Sequence, residues 1–259
     1  MVIGPRYYVL GTEQCERASM PPTVSLTTPQ AAAQITRGNY SWSDGLAQAP
    51  MPVTYGFRAS APPEKYGEGE AARFAKGNQA ERAAFIKAIK EWQSIANITF
   101  TPVDVDPNKF TDQATILIAN WTDPKKQGSA HAYYPRDKPF SGDRAFSSKY
   151  GDVWLDLSHD KYEEFTPGEH NYLTVMHELG HALGLQHPGD YNSGESETGV
   201  IYERDAAYIQ DSLQYSIMSY LDASSTYANH VVDKTDANQA VTKFMRATTP
   251  SSAMTPTMS

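Results

Sequence analysis

Cysteine is almost missing from this chain: Cys15 is the only one in 259 residues. No intramolecular disulfide can form, so the fold must rely on packing or on a metal. Long apolar runs are missing too, and none approaches the roughly 18 residues that a membrane span needs. Basic charge is in deficit, with 22 Lys and Arg against 30 Asp and Glu and a net charge of −8. Nucleic acid is therefore a poor partner, because phosphate binding wants clustered cations. The start, "MVIGPRYYVLGTEQCERASM", lacks a sustained apolar core and a small-residue cleavage pattern, so no Sec-type signal is visible. Internal repeats are also lacking, including Gly/Asp-rich nonapeptides of the calcium-binding kind.

The residues that are present suit a soluble globular protein. Hydrophobic residues make up 40% and charged residues 20%, enough to bury a real core. Sixteen tyrosines and four tryptophans argue against disorder. Residues 1–29 are rich in Pro, Thr and Ser and read as an arm or pro-like segment. The segment Met51 to Ser60 reads as a first strand, and "PPEKYGEGEAARFAKG" as loop passing into helix. A firmer helix spans Gln79 to Ala96, with Asn78 and Glu81 as its capping box. Phe85, Ile89, Trp92 and Ala96 form an apolar stripe whose plain reading is core packing. Strands are expected at Ile98–Val103, Ala114–Asn120, Ser129–Pro135 and Asp152–Ser158. Pro135 places the third of these at an edge or ends it early. Thr166, Pro167 and Glu169 fit N-cap, N1 and N3 of a second long helix. Its buried face should be Leu173, Met176 and Leu183, and it should stop near Gly184. A long helix, several strands and a second long helix together predict an α+β fold with a largely segregated sheet.

The second helix carries "TVMHELGHALGLQHPGDY", which holds three of the seven histidines within eleven positions. Positions i and i+4 share a helix face, so His177 and His181 can place nitrogens on one ion. Glu178 lies about 100° further round, off the metal axis and toward a water. Gly184 lets the chain leave the helix with positive φ and return His187 as a third ligand. Three neutral histidines leave one position of a tetrahedral zinc free for water, which marks a catalytic site. Glu178 would take the water proton and pass it to a leaving amine, as general base and then acid. A bare H-E-x-x-H also arises by chance or as a helix salt-bridge pattern. Gly184 and His187 at their fixed offsets argue against chance, because a third histidine has no packing reason to be there.

At these residues the chain resembles the metzincin zinc endopeptidases, and among them the serralysins. Pro188 follows the third histidine, as in serralysins, and "QYSIMSYL" resembles the Met-turn with Met218 beneath the zinc. The resemblance implies that Tyr220 ligates zinc at rest and swings away to hydrogen-bond the tetrahedral intermediate. It extends through "QAAAQITRGNYSW", "EWQSIANITFTPV" and "SAHAYYP", roughly residues 30 to 228. It implies a two-lobed, zincin-like α+β domain with zinc at the cleft floor. The edge strand with Ala130, His131, Ala132 and Tyr133 would pair with an extended substrate. It also implies protein or peptide substrates, a proteinaceous protease inhibitor as a further partner, a monomer and secretion. Serralysins follow the Met-turn with a helix and with calcium-binding repeats. Here "NHVVDKTDANQAVTKFMRATTPSSAMTPTMS" stands instead, so Ca2+ is implied by the resemblance without its repeat sites. The expected organisation is an arm over 1–29, a peptidase domain over 30–247 and an atypical tail over 248–259.

Other readings stay open at this stage. One is a degenerate peptidase that keeps zinc and captures peptides without cutting; intact Glu178 speaks against it. A second is a structural zinc protein whose site is closed by a fourth side chain, and a third is a small-molecule amidase. Without the family, Met218 reads as core and Tyr220 as a buried phenol. Cys15 could ligate zinc in a latent form, although a lone thiol is commonly inert. His131, His159, His170 and His230 read as surface or capping residues, His131 being a candidate for lining the cleft. Asp190 is a candidate carboxylate brace for a ligand histidine. Sequons occur at Asn39, Asn97 and Asn120.

Overall fold

The computed structural model describes residues 24–43, 50–64, 66, 69–106, 108–110, 112–122, 130–135, 149–156, 165–193 and 198–226. Cys15, His159, His230 and the 248–259 tail lie outside the described residues.

Helix α3 (Gln79–Ile95) starts as its sequence predicts. The Glu81 N–H donates to Asn78 Oδ1 at 2.9 Å, and the Asn78 N–H donates to Glu81 Oε2 at 2.6 Å. Two orphan donors of the first turn are thereby satisfied. Phe85, Ala88, Ile89 and Trp92 turn one apolar face inward. Ala96 is the C-cap in extended backbone, so the stripe ends at Trp92 and does not include it. Shorter helices precede α3: α1 (Thr28–Ile35) and α2 (Glu70–Arg73). Helix α1 thus opens just before the expected boundary of the N-terminal arm.

The five strands are β1 (Met51–Phe57), β2 (Ile98–Pro102), β3 (Ile116–Trp121), β4 (Ala130–Ala132) and β5 (Val153–Asp156). They form one sheet in the order β2-β1-β3-β5-β4. The first four of these run parallel, and β4 pairs antiparallel with β5 at the edge, with His131 opposite Trp154. Parallel strands need crossovers, and α3 supplies the one between β1 and β2. Both sheet faces are covered, which is why β3 is buried almost throughout. On one face α3 and α4 (His170–Ala182) pack over Val53, Ile116, Ile118, Val153 and Leu155. On the other, Tyr66, Ala119 and Trp154 pack with Phe74, Phe110, Trp121 and Tyr133. Arg58 is buried there, paired with Asp152, which also accepts from the Tyr66 hydroxyl. The architecture is the expected α+β, with the two long helices α3 and α4 on one face and the short α2 leading into the cluster on the other.

Helix α4 departs from its sequence reading at two points. Its N-cap is Glu169 and not Thr166, because Gly168 at φ +95° breaks the helical path after Pro167. Thr166 only closes the preceding turn, its carbonyl accepting from the Glu169 N–H at 3.0 Å. The deepest face is Tyr172, Val175, Leu179 and Ala182, while Leu173, Met176 and Leu183 are half-buried. Trp92 of α3 ties the two helices together, its indole N–H donating to the Met176 carbonyl at 3.1 Å. Beyond α4 the chain forms α5 (Tyr202–Asp205) and a short 3₁₀ turn over Ala223–Thr226.

Candidate metal centre

The end of α4 sets the geometry of the site. Leu183 caps the helix, and Gly184 at φ +106° reverses the chain. The Leu185 N–H donates to the Gly180 carbonyl and the Gly184 N–H to the His181 carbonyl, each at 2.9 Å. This is a Schellman ending, and it turns the chain so that His187 returns toward the helix. Segment α1 and the loop after it brace the reversed chain. Arg37 Nη1 donates to the His187 carbonyl at 2.7 Å, and Gln34 Nε2 donates to the Pro188 carbonyl at 2.8 Å. The Trp42 indole N–H donates to the Ala182 carbonyl at 2.8 Å.

The three histidines converge. Nε2 of His187 lies 3.0 Å from Nε2 of His177 and 3.1 Å from Nε2 of His181. Each Nδ1 faces a backbone carbonyl: His177 meets Ile217 at 2.8 Å, His181 meets Leu185 at 2.7 Å, and His187 meets Tyr191 at 2.7 Å. A carbonyl can only accept, so each Nδ1 carries the ring proton and each Nε2 keeps its lone pair. Three lone pairs so close repel one another unless a cation lies between them. A tetrahedral ion with N ligands at about 2.0–2.1 Å would hold such nitrogens roughly 3.3–3.4 Å apart, close to what is seen. Burial pushes the pKa of His181 down to about 4 and that of His187 down to about 3. His177 also falls well below its usual value, through burial and then the neighbouring imidazoles. All three rings are neutral at neutral pH, the form in which imidazole can ligate a metal. The donor set fits zinc.

Glu178 is buried beside them, and burial pushes its carboxyl up to about 8. Its Oε2 has no hydrogen-bond partner. The Tyr220 ring packs on His177 and His187, with centroids 5.3 and 4.4 Å away. Its hydroxyl bonds to Ser193, and burial followed by the nearby Glu178 raises its pKa. Met218 is fully buried, and a Cβ built on Gly180 would strike its Sδ, so it lies directly against the helix that carries the ligands. Its neighbour Ile217 supplies the carbonyl that orients His177.

Among the described residues strand β4 is the edge strand of the sheet, and Ala130, His131, Ala132 and Tyr133 are all half-buried. Tyr133 donates its hydroxyl to Glu70 Oε1 at 2.6 Å, and His131 Nε2 lies 3.3 Å from the same atom. Two residues beyond the strand, Tyr134 sets its ring edge-on to His181 at 5.4 Å, which brings the strand's end to the metal centre.

Some sequence expectations need correction. Asp190 pairs with Arg37 at 2.8 Å, and its side chain is 95% exposed. It braces no histidine, because peptide carbonyls already take all three Nδ1 protons. Asn120 is buried and donates to Glu81 Oε2 at 2.7 Å, so its sequon is out of reach of a glycosyl carrier. Sequence reasoning missed Arg37, Tyr134, Tyr191 and Asp211. Arg37, Tyr134 and Asp211 reach the site or its neighbours across long stretches of sequence. Tyr191 meets His187 four positions away, through a backbone carbonyl that no side-chain pattern announces.

Residues 70–194 match the Matrixin family. With this match, the fold and the three-histidine centre define a metzincin peptidase domain. Among relatives, the chain is 32% identical to metalloprotease AprA of Pseudomonas entomophila over 209 residues, covering 80% of this chain and 40% of that protein. It is 33% identical to serralysin C of Dickeya chrysanthemi over 207 residues, again 80% of this chain and 40% of the relative. It is likewise 33% identical to serralysin of Proteus mirabilis, over 77% of this chain and 40% of the relative. The chain belongs to the metzincin family, with a catalytic domain of serralysin type. It spans about 40% of the length of the curated relatives it matches.

Proposed function

We propose that this chain is a zinc-dependent metalloendopeptidase that hydrolyses internal peptide bonds of protein or peptide substrates. The observation that carries the reading is the convergence of three proton-free Nε2 atoms beside a buried carboxylate, one oxygen of which has no hydrogen-bond partner. His177, His181 and His187 would hold the ion. When bound, zinc supplies Lewis acidity that makes water a nucleophile near neutral pH and polarises the scissile carbonyl.

The remaining steps belong to the chain's own side chains. Glu178 takes the proton of the attacking water and passes it to the leaving amine. Burial raises the carboxyl in the metal-free chain, and a zinc ion beside it would favour the ionised form that accepts the proton. Tyr220, packed on the rings of His177 and His187, would be a conditional fourth protein ligand for the ion, and its hydroxyl would be free in turn to donate to the carbonyl oxygen under attack. Met218 holds the floor under His177 and His181. The edge formed by Ala130, His131, Ala132 and Tyr133 pairs with an extended substrate backbone. Tyr133 and His131 are themselves steadied on Glu70.

Family likeness also supports secretion, action as a monomer and control by a proteinaceous inhibitor. No helix among the described residues is long and apolar enough to cross a membrane. The test compares casein cleavage by the purified chain with and without a chelator, beside the Glu178→Ala variant. The variant should retain about one zinc per chain, because its ligand set is intact, while losing nearly all turnover. Equal activity in both proteins would remove Glu178 from the role of base. Zinc retention without chelator-sensitive cleavage by the wild type would favour a peptide-binding module.

A further inference from the structure

The three ligand histidines are not oriented by three independent groups. His181 donates to Leu185, part of the cap of its own helix. His177 donates to Ile217 in the Met-containing turn, and His187 donates to Tyr191 in the loop beyond the third ligand. These two carbonyls lie on separate segments, 26 positions apart in sequence. Asp211 connects them. The Tyr191 hydroxyl donates to Asp211 Oδ1 at 2.8 Å, and so does the hydroxyl of Ser219, two residues after Ile217, also at 2.8 Å. Ser219 Oγ in turn accepts from the Leu221 N–H at 3.1 Å, bridging across Tyr220. The second Asp211 oxygen accepts from the Ala207 N–H at 3.1 Å. Asp211 is 0% exposed, Ser219 1% and Tyr191 5%.

We propose that Asp211 is a positioning residue for the metal centre: one buried carboxylate fixes the two carbonyls that orient His177 and His187. This rests on the zinc reading of the site. The chemistry of the node calls for an ionised carboxylate. Its neighbours present three donors to two oxygens, and a carboxylate accepts at both. An amide of the same shape would turn an NH2 group toward either the Ala207 N–H or the two hydroxyls. The first arrangement sets one buried donor against another, and the second makes both hydroxyls reverse from donating to accepting. The ring of Tyr191 adds a second constraint, lying nearly parallel to His187 with centroids 5.3 Å apart and 18° between planes. Tyr191 therefore grips the third ligand through its ring and its carbonyl, while Asp211 holds its far end. Outer groups of this kind fix ligand orientation, and their loss commonly weakens metal binding by about 10- to 100-fold.

The test is zinc affinity of the full chain, measured by competition with a chromophoric chelator. Wild type, Asp211→Asn, Tyr191→Phe and the double variant are compared, together with the visible spectra of their cobalt(II)-loaded forms. Each single variant should bind zinc about 10- to 100-fold more weakly, and the cobalt bands should shift because ligand angles change. The double variant should be no weaker than the worse single, since both act through one node. Tyr191→Phe keeps the ring and the carbonyl, so it decides the matter even if Asp211→Asn does not fold. Unchanged affinity and an unchanged cobalt spectrum in Tyr191→Phe would overturn the proposal, as would losses that multiply in the double variant. Absence of zinc binding by the wild type would instead remove the metal reading on which the proposal stands.

Discussion

Gly184→Ala is the substitution whose cost follows most directly from the structure. Gly184 has φ +106°, a backbone region that a residue with Cβ resists. Left-handed backbone costs such a residue about 1–2 kcal/mol. The added methyl would also strike the carbonyl oxygen of Tyr40, which is backbone and cannot rotate away. Overpacking against an unyielding neighbour adds about 1–3 kcal/mol. Together these effects cost about 2–5 kcal/mol. They are relieved only by opening the Schellman turn, which carries His187 away from the other two ligands. Urea unfolding of the metal-free chain and a zinc competition titration should both register the loss. Gly180→Ala is the internal control. It sits in ordinary helix, where Ala gains up to about 1 kcal/mol over Gly, but its methyl would strike the buried Met218 thioether, whose repacking costs about 1–3 kcal/mol without any backbone strain. Gly184→Ala must therefore be the more damaging of the pair. A loss below about 1 kcal/mol, with zinc affinity unchanged, would refute the argument.

The metal-free protein should show a pH dependence traceable to Glu178, whose folded pKa is pushed up by burial to about 8 against about 4.3 in the unfolded chain. Below the lower value both states hold the proton and nothing is lost. As pH rises the unfolded state ionises first, so stability falls until about pH 8, by at most about 5 kcal/mol. Glu178→Gln removes this penalty: its stability advantage over wild type, read by denaturant unfolding, should be near zero around pH 4 and largest near pH 8–9. A constant difference across that range contradicts the assignment. Chelation should lower thermal stability as well. At free zinc about 1,000 times Kd the ion contributes about 4 kcal/mol, equivalent to a drop of roughly 8–16 °C for a domain of this size. An unchanged Tm after chelation would argue that no ion is held by the fold.

Much of this could be read from the chain before any coordinates. The centre was legible because a helix repeats every 3.6 residues and because a glycine at a fixed offset permits one particular reversal. His177, His181, Gly184 and His187 carry that geometry within a single segment. The strands were legible because β-branched and aromatic residues cluster between turn formers, and α3 because Asn78 and Glu81 cap it locally. What escaped was non-local or set by a single backbone angle. Gly168 moved the start of α4 by breaking the path after Pro167, a decision that capping propensities do not record. Helix α4 is enclosed on several sides, so its apolar pattern misassigned the deepest face. Asp190 looked like a brace because carboxylates commonly orient ligand histidines, yet peptide carbonyls fill that role. Arg37 and Asp211 act across 150 and 20 positions respectively, on the His187 carbonyl and on Tyr191. Only the folded chain brings them there.

X-ray absorption at the zinc edge of the loaded full-length chain addresses the metal centre itself. Three nitrogen scatterers at about 2.0–2.1 Å, with imidazole outer-shell features and at least one further oxygen, are the predicted first shell. A fully closed shell containing sulfur, or fewer than three imidazoles, would contradict the account.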